Sequence, residues 1–139
     1  MKIPGLRSSY EKVGGIVFFG RMLDKIRTHA QGKLPADYNL GKGFDERCIR
    51  FLKIEYAALV ERVLQGGTDE EILEWCFQKG HRPGEEEILV WNAFMTKRGW
   101  RDDVSEWLDQ EKKKRGFAHR SDIQTAFDFH KADEAEDSK

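Results

Sequence analysis

Arg21, Asp24, Lys25 and Arg27 stand close behind a glycine pair, Gly14-Gly15, and are the residues best spaced to bind something. Separations of three and four place Arg21, Asp24 and Lys25 on one side of a helix. Such an array, with Arg7 and either Arg47 or Arg50 nearby, could grip an anion or an acidic partner. The glycine pair would let backbone amides approach a ligand at a helix N-terminus. It matches neither a phosphate-loop nor a dinucleotide fingerprint. The plainer account is a solvated helix face laced by ion pairs, each worth about 0.2–0.5 kcal/mol.

Asn92 lies within an apolar helical stripe, where it must find hydrogen-bond partners. It would pin a helix end or a loop backbone, or else line a pocket. Trp91, Phe94, Trp100 and Trp107 read as packing residues. His29, His81, His119 and His130 are scattered and lack metal-ligand spacing, so no metal or cofactor is expected. Ser8-Ser9 carries no nucleophile motif. Cys48 and Cys76 read as buried free thiols in a reducing compartment, the cytoplasm. No signal peptide or membrane span is evident. The basic run Lys112 to Arg115 lacks interleaved aromatics and has acidic neighbours, a poor nucleic-acid contact.

The elements that must hold these residues are helical. With 39% apolar residues, the 139-residue chain can bury one core. Its net charge of −1 excludes a generic polyanion or membrane binder. Residues 1–67 carry 12 Lys/Arg against 7 Asp/Glu, and residues 68–139 carry 12 against 18. That asymmetry suits two halves that attract each other, or a basic surface near the N-terminus.

An arm over 1–12 precedes a first helix starting between Val13 and Gly20. Its apolar line is Ile16, Phe19, Met22, Leu23, Ile26 and Ala30, and this period argues against a strand at Ile16 to Phe19. A loop over 33–44 contains Gly41-Lys42-Gly43, and a loop of that length is sometimes functional. Asp45 could cap a helix bearing Cys48, Ile49 and Leu52, with a pause near Lys53. A further helix runs from Tyr56 to Leu64. Thr68 to Glu71 forms a capping box, and Gly80 ends the helix it opens. Glu85 to Arg98 is a helix, and Asp102 or Asp103 caps the next. Ser121 to Gln124 reads as a second capping box before a short helix, with a frayed polar tail over 132–139.

The stretches Leu6 to Gly15, Gly20 to Arg27, Gly67 to Trp75, Trp91 to Phe94 and Gly99 to Asp103 resemble a family of small bacterial proteins known only as a domain of unknown function, family 5069. The likeness covers roughly residues 6–125. Ser9 stands where proline is expected, which loosens the arm alone. The resemblance implies a cytosolic helical protein and no catalytic assignment.

The expected fold is an all-α, compact single domain of about six to seven short helices over 1–131. With no catalytic signature, the expected function is a non-enzymatic interaction module using Arg7, Gly14, Gly15, Arg21, Asp24, Lys25 and Arg27. Its partner would be a protein or a small anionic ligand. On that view Arg21→Ala with Lys25→Ala abolishes capture and leaves the melting temperature almost unchanged. The alternative is a ligand-binding protein or enzyme with a polar pocket where Arg21, Asp24 and Asn92 converge. The chain would be a monomer, or a homodimer in which Phe18 and Trp75 meet.

Overall fold

The computed structural model describes residues 3–136. Among them are a two-stranded hairpin, β1 (Lys12–Val13) and β2 (Ile16–Val17), and seven helices. The helices are α1 (Phe19–Ala30), α2 (Phe44–Leu52), α3 (Tyr56–Leu64), α4 (Asp69–Lys79), α5 (Glu85–Lys97), α6 (Ser105–Lys114) and α7 (Ala126–Glu136). The fold is therefore a mostly helical bundle around one main core.

The hairpin corrects the sequence reading of Ile16 to Phe19. Val13 pairs with Ile16 and Lys12 with Val17, leaving Gly14 and Gly15 as a two-residue turn. Both glycines have positive φ, 57° and 81°, the combination a tight turn between right-twisted strands requires. The pair thus shapes a turn and does not open a helix. Asn92 on α5 holds this hairpin. Its Oδ1 accepts from the Val17 amide at 3.1 Å, and its Nδ2 donates to the Gly15 carbonyl at 2.8 Å. The neighbouring Trp91 Nε1 donates to the Val17 carbonyl at 3.1 Å. Two side chains of one helix therefore satisfy a strand edge that has no further strand.

Between the hairpin and α1, Phe18 adopts a left-handed conformation at φ 74°. Such strain costs on the order of 1 kcal/mol. Burial of the ring offsets it, since Phe18 stacks on Phe127 at 5.9 Å and meets Phe44 edge-on at 5.8 Å. α1 then runs through the middle of the core. Phe19, Met22, Leu23 and Ile26 of its expected apolar line pack inward, while Ala30 is exposed and Ile16 belongs to β2, and its opposite face is covered as well. Arg21, Asp24 and Lys25 are only 4%, 7% and 6% exposed. The solvated face expected for α1 is an interior one, because the arm, α2, α4 and α7 all close over it.

The Thr68–Glu71 capping box opens α4 as expected. Other ends differ. Gly43, not Asp45, is the N-cap of α2, and Asp45 turns inward. Asp102 builds the turn before α6, accepting from the Gly99 and Val104 amides, while Val104 is the cap. The box expected at Ser121 is not used. Thr125 caps α7 instead, its hydroxyl accepting from the Asp128 amide at 3.1 Å. α7 is correspondingly later and longer, helical through Glu136, where a frayed tail was expected from residue 132. Tertiary partners account for the extension, as the site shows. Residues 1–2 and 137–139, part of the arm and tail expectations, lie outside the described residues. Leu108, Phe117, Ile123 and Phe129 form a second, smaller cluster that fastens α6 to α7.

Candidate functional site

α1 divides its charged residues between two sides. On one side Asp24 accepts from Arg7 Nε at 2.8 Å, Arg7 Nη2 at 3.0 Å and the Arg7 amide at 2.9 Å. Arg7 and Arg27 both reach Asp69 of α4, at 2.6 and 2.9 Å. Asp69 is held below the usual carboxylate range by the two arginines, against a burial effect that opposes them. Arg7, Asp24 and Arg27 therefore form a clasp that ties the arm and α4 to α1. Its charges are spent on one another, a structural use of three residues in the expected binding array.

On the other side Arg21 and Lys25 meet a concave cleft. Arg21 makes a paired contact with Glu134 of α7 at 2.9 and 2.7 Å and donates to the Arg7 carbonyl at 3.1 Å. This is what keeps the end of α7 helical. Lys25 Nζ lies 2.8 Å from Asp45 Oδ1 of α2 and donates to the Asn39 carbonyl at 3.0 Å. The Lys25–Asp45 contact is close but not aligned as a hydrogen bond, so Oδ1 lacks a directed donor. Asp45 Oδ2 accepts from the Gly41 amide at 3.0 Å, which folds the 39–43 loop over the pair. Burial lowers the Lys25 pKa and raises that of Asp45, and their mutual attraction works against both shifts.

The cleft holds about 550 Å³ and lies between α1, the 37–44 loop, α2, α6 and α7. Its wall carries seven basic side chains, among them Arg21, Lys25, Lys42, Arg47 and Arg98, against five acidic ones. Lys42 and Arg47 have no carboxylate within ion-pair distance among the described residues, and the Arg47 guanidinium lies over the Phe94 ring at 5.1 Å. Arg98 is buried, and its Nε–H has no hydrogen-bond partner among the described residues. Tyr38, Phe44, Trp107 and Phe129 supply aromatic walls. Burial, aided by the charge of Glu134, pushes the Tyr38 hydroxyl up to about 12, so it stays a neutral donor at pH 7. The uncapped N-terminus of α2 also opens here through Gly43 and Phe44.

His130 of α7 completes the wall. Its Nδ1 lies 2.9 Å from the Ser9 hydroxyl, and the part-buried ring packs against Phe44 and Phe127. Burial, and then the charges of Arg21 and Lys25, push the imidazole well below its ordinary pKa. The ring is neutral at pH 7. An unfolded chain would protonate it near pH 6.5, so the unfolded state holds more protons just below that pH. Stability from this group is complete above pH 6.5 and falls as pH drops. The loss should approach about 1.4 kcal/mol per pH unit. Thermal melts of the wild type and His130→Gln between pH 7 and 5 would check this: the variant should lose the part of the slope that His130 supplies.

Of the expected site residues, the structure joins Arg21 and Lys25 at the cleft, Arg7, Asp24 and Arg27 at the clasp, and Gly14, Gly15 and Asn92 at the hairpin. Arg21, Asp24 and Asn92 do not converge, so the pocket expected between the first helix and the Asn92 helix lies instead between α1 and α7. Phe18 is buried and unavailable for the dimer contact imagined with Trp75. Glu134, Arg98 and Tyr38 escaped the sequence reading as site residues, His130 was read only as one of four scattered histidines, and Arg47 only as a neighbour of the first-helix array. The spacing of His130 and Glu134, four apart on one helical face, was the available signal.

Among the described residues no group of three or more His, Cys, Asp or Glu could hold a metal ion. No described helix is long and apolar enough to cross a membrane. None of the curated proteins matches the chain. Residues 3–136 do match one family over almost the whole sequence, and the motifs that resemble it place their side chains in the hairpin, the clasp and the α5–α6 turn. The chain belongs to the family described as Domain of unknown function (DUF5069).

Proposed function

We propose that this chain is a non-enzymatic binding protein for a small anionic ligand with a flat apolar portion. The cleft between α1, α2, α6 and α7 carries the proposal: cationic groups from α1, α2 and the 37–44 loop converge on one concavity with aromatic walls. A concave site with few convergent polar groups suits a small molecule better than a protein surface. Lys42 and Arg47 would supply charge, and Trp107 and Phe44 the flat walls. Cys48 and Cys76, both free and buried, favour a reducing compartment such as the cytoplasm.

A second reading, in which the cleft carries chemistry, rests on His130 as a neutral acid–base group. Ser9, 1% exposed behind the ring, orients the imidazole and is out of reach of a ligand. That arrangement favours binding over nucleophilic catalysis.

Native mass spectrometry of protein purified gently from its own cells should show a reproducible small adduct. Calorimetric titration with aryl phosphates and aryl carboxylates should then find a binder that Lys42→Ala with Arg47→Ala weakens tenfold or more, about 1.4 kcal/mol or above. Both residues are exposed, so the melting temperature should hold. Unchanged affinity in that variant, or no binder and no adduct, would remove the proposal.

A further inference from the structure

α5 is apolar on both sides. Trp91 and Met95 are buried against β2 and α7, while the opposite face is open. On that open face Leu89 is 63% and Val90 58% exposed, with Ala93 and Phe94 beside them. A second apolar stripe on a helix marks a surface that meets a partner. The groove beside this face is floored by Phe51 stacked on Trp91, with ring centroids 4.6 Å apart.

The order of residues along the face says what covers it. Glu86, Leu89, Val90, Ala93, Phe94 and Lys97 fall within one stripe at helical spacing. Read from the two ends, the stripe is complementary to itself: acidic against basic, Leu89 against Phe94, Val90 against Ala93. All three pairs share one midpoint, between Trp91 and Asn92. A second α5 laid antiparallel about a two-fold axis there would set each Glu86 opposite the other copy's Lys97. Neither Glu86 nor Lys97 has an ion-pair partner within the described residues of the chain. The dipole explains glutamates at the start of α5 and a lysine at its end. It does not explain four exposed apolar residues between them.

We infer that α5 is the contact of a two-fold symmetric homodimer, its occupant a second copy of this chain lying antiparallel. An isologous contact requires self-complementarity, which this stripe has. A contact made through one 13-residue helix belongs with the small, transient interfaces. The dimer is therefore concentration-dependent.

Sedimentation equilibrium of the full chain over a hundredfold concentration range tests this. Wild type should move from the 16.2 kDa of one chain towards twice that mass. Glu86→Lys alone and Lys97→Glu alone each place like charges opposite one another, so each should stay monomeric at least tenfold further up the range. An equimolar mixture of the two restores both ion pairs, and the dimer should return. The double variant should dimerise like wild type. All these residues are exposed, and circular dichroism melts would register any loss of folding separately. A wild type that stays monomeric overturns the inference. So do single variants that dimerise like wild type, a mixture that stays monomeric, or association into larger species through a sticky patch. Ligand binding at the cleft does not enter the measurement, since neither Glu86 nor Lys97 lines it.

Discussion

Lys25→Met should lower the unfolding free energy by about 3–5 kcal/mol, the cost of leaving one member of a buried ion pair alone. Lys25 and Asp45 are 6% and 0% exposed, and the two lie 2.8 Å apart. Methionine preserves most of the lysine stem and removes the ammonium, which lies 5.5 Å from the centre of the Phe18 ring, so the loss reports the charge and its contacts. Removal of the ammonium also frees the Asn39 carbonyl and loosens the loop over the cleft. The sign of the pH dependence follows from Asp45. Burial already raises its pKa, and without Lys25 only the Gly41 amide and the charge of Arg21 still oppose that effect. The folded variant then binds a proton at a pH where the unfolded chain, with a carboxylate near 3.8, does not. Destabilisation should therefore shrink as pH falls towards 4. Urea melts at pH 7 and pH 5 would check both points. Lys25→Met with Asp45→Leu should recover part of the loss, because a buried pair is often replaceable by apolar groups. A melting temperature unchanged in Lys25→Met would mean that water reaches Asp45 freely.

The contrast with the sequence-based expectation is direct. An exposed Arg21/Lys25 face predicts lost capture and intact stability for the double alanine variant. A buried face predicts lost stability first, since Glu134 and Asp45 would be stranded together. Cleft function is therefore better probed at Lys42 and Arg47.

Gly80→Ala should be equally damaging, by about 3 kcal/mol or more, beyond the usual range for overpacking. A methyl group there would lie 2.1 Å from the Leu52 carbonyl oxygen and 2.5 Å from that of Lys53. Both are backbone atoms, and the Leu52 carbonyl is itself held by the His81 amide at 2.8 Å. Neither can rotate away. The end of α4 would have to part from the end of α2, opening the core at Leu52 and Cys76. Gly32→Ala is the control. Gly32 also ends a helix and has positive φ, 72°, but a methyl group there meets nothing within 4 Å. Its cost should be about 1–2 kcal/mol, from the left-handed conformation alone. Equal losses in the two variants would show that the close approach at Gly80 relaxes easily.

Local chemistry was readable wherever it acts within one turn or one helix. The Thr68–Glu71 box, the break at Lys53 and the apolar positions Phe19, Met22, Leu23 and Ile26 of α1 all depend on near neighbours, and each stands where the sequence places it. Rules that consider one element at a time failed where two solutions were locally equal. Ile16 to Phe19 fits a strand or a helix. Asn92 decides it, because its amide and the Trp91 indole satisfy a strand edge from 74 to 77 residues away. Ser121 and Thr125 are both competent caps, and α7 starts where its Glu134 can reach Arg21.

The sequence by itself determined that this chain is a helical domain with one apolar core, free thiols and family membership carried by separated motifs. Those properties follow from residue types and short spacings, which a chain displays before it folds. Only the tertiary structure decided the fate of the charges. An arginine, an aspartate and a lysine on one helix face look alike in sequence whether water or protein covers them. Here the arm and α4 close over Asp24, while α2 and α7 close over Lys25 and Arg21. Whether a charge is spent inside a clasp or offered at a cleft depends on partners as many as 113 residues apart, and no local pattern encodes that distance.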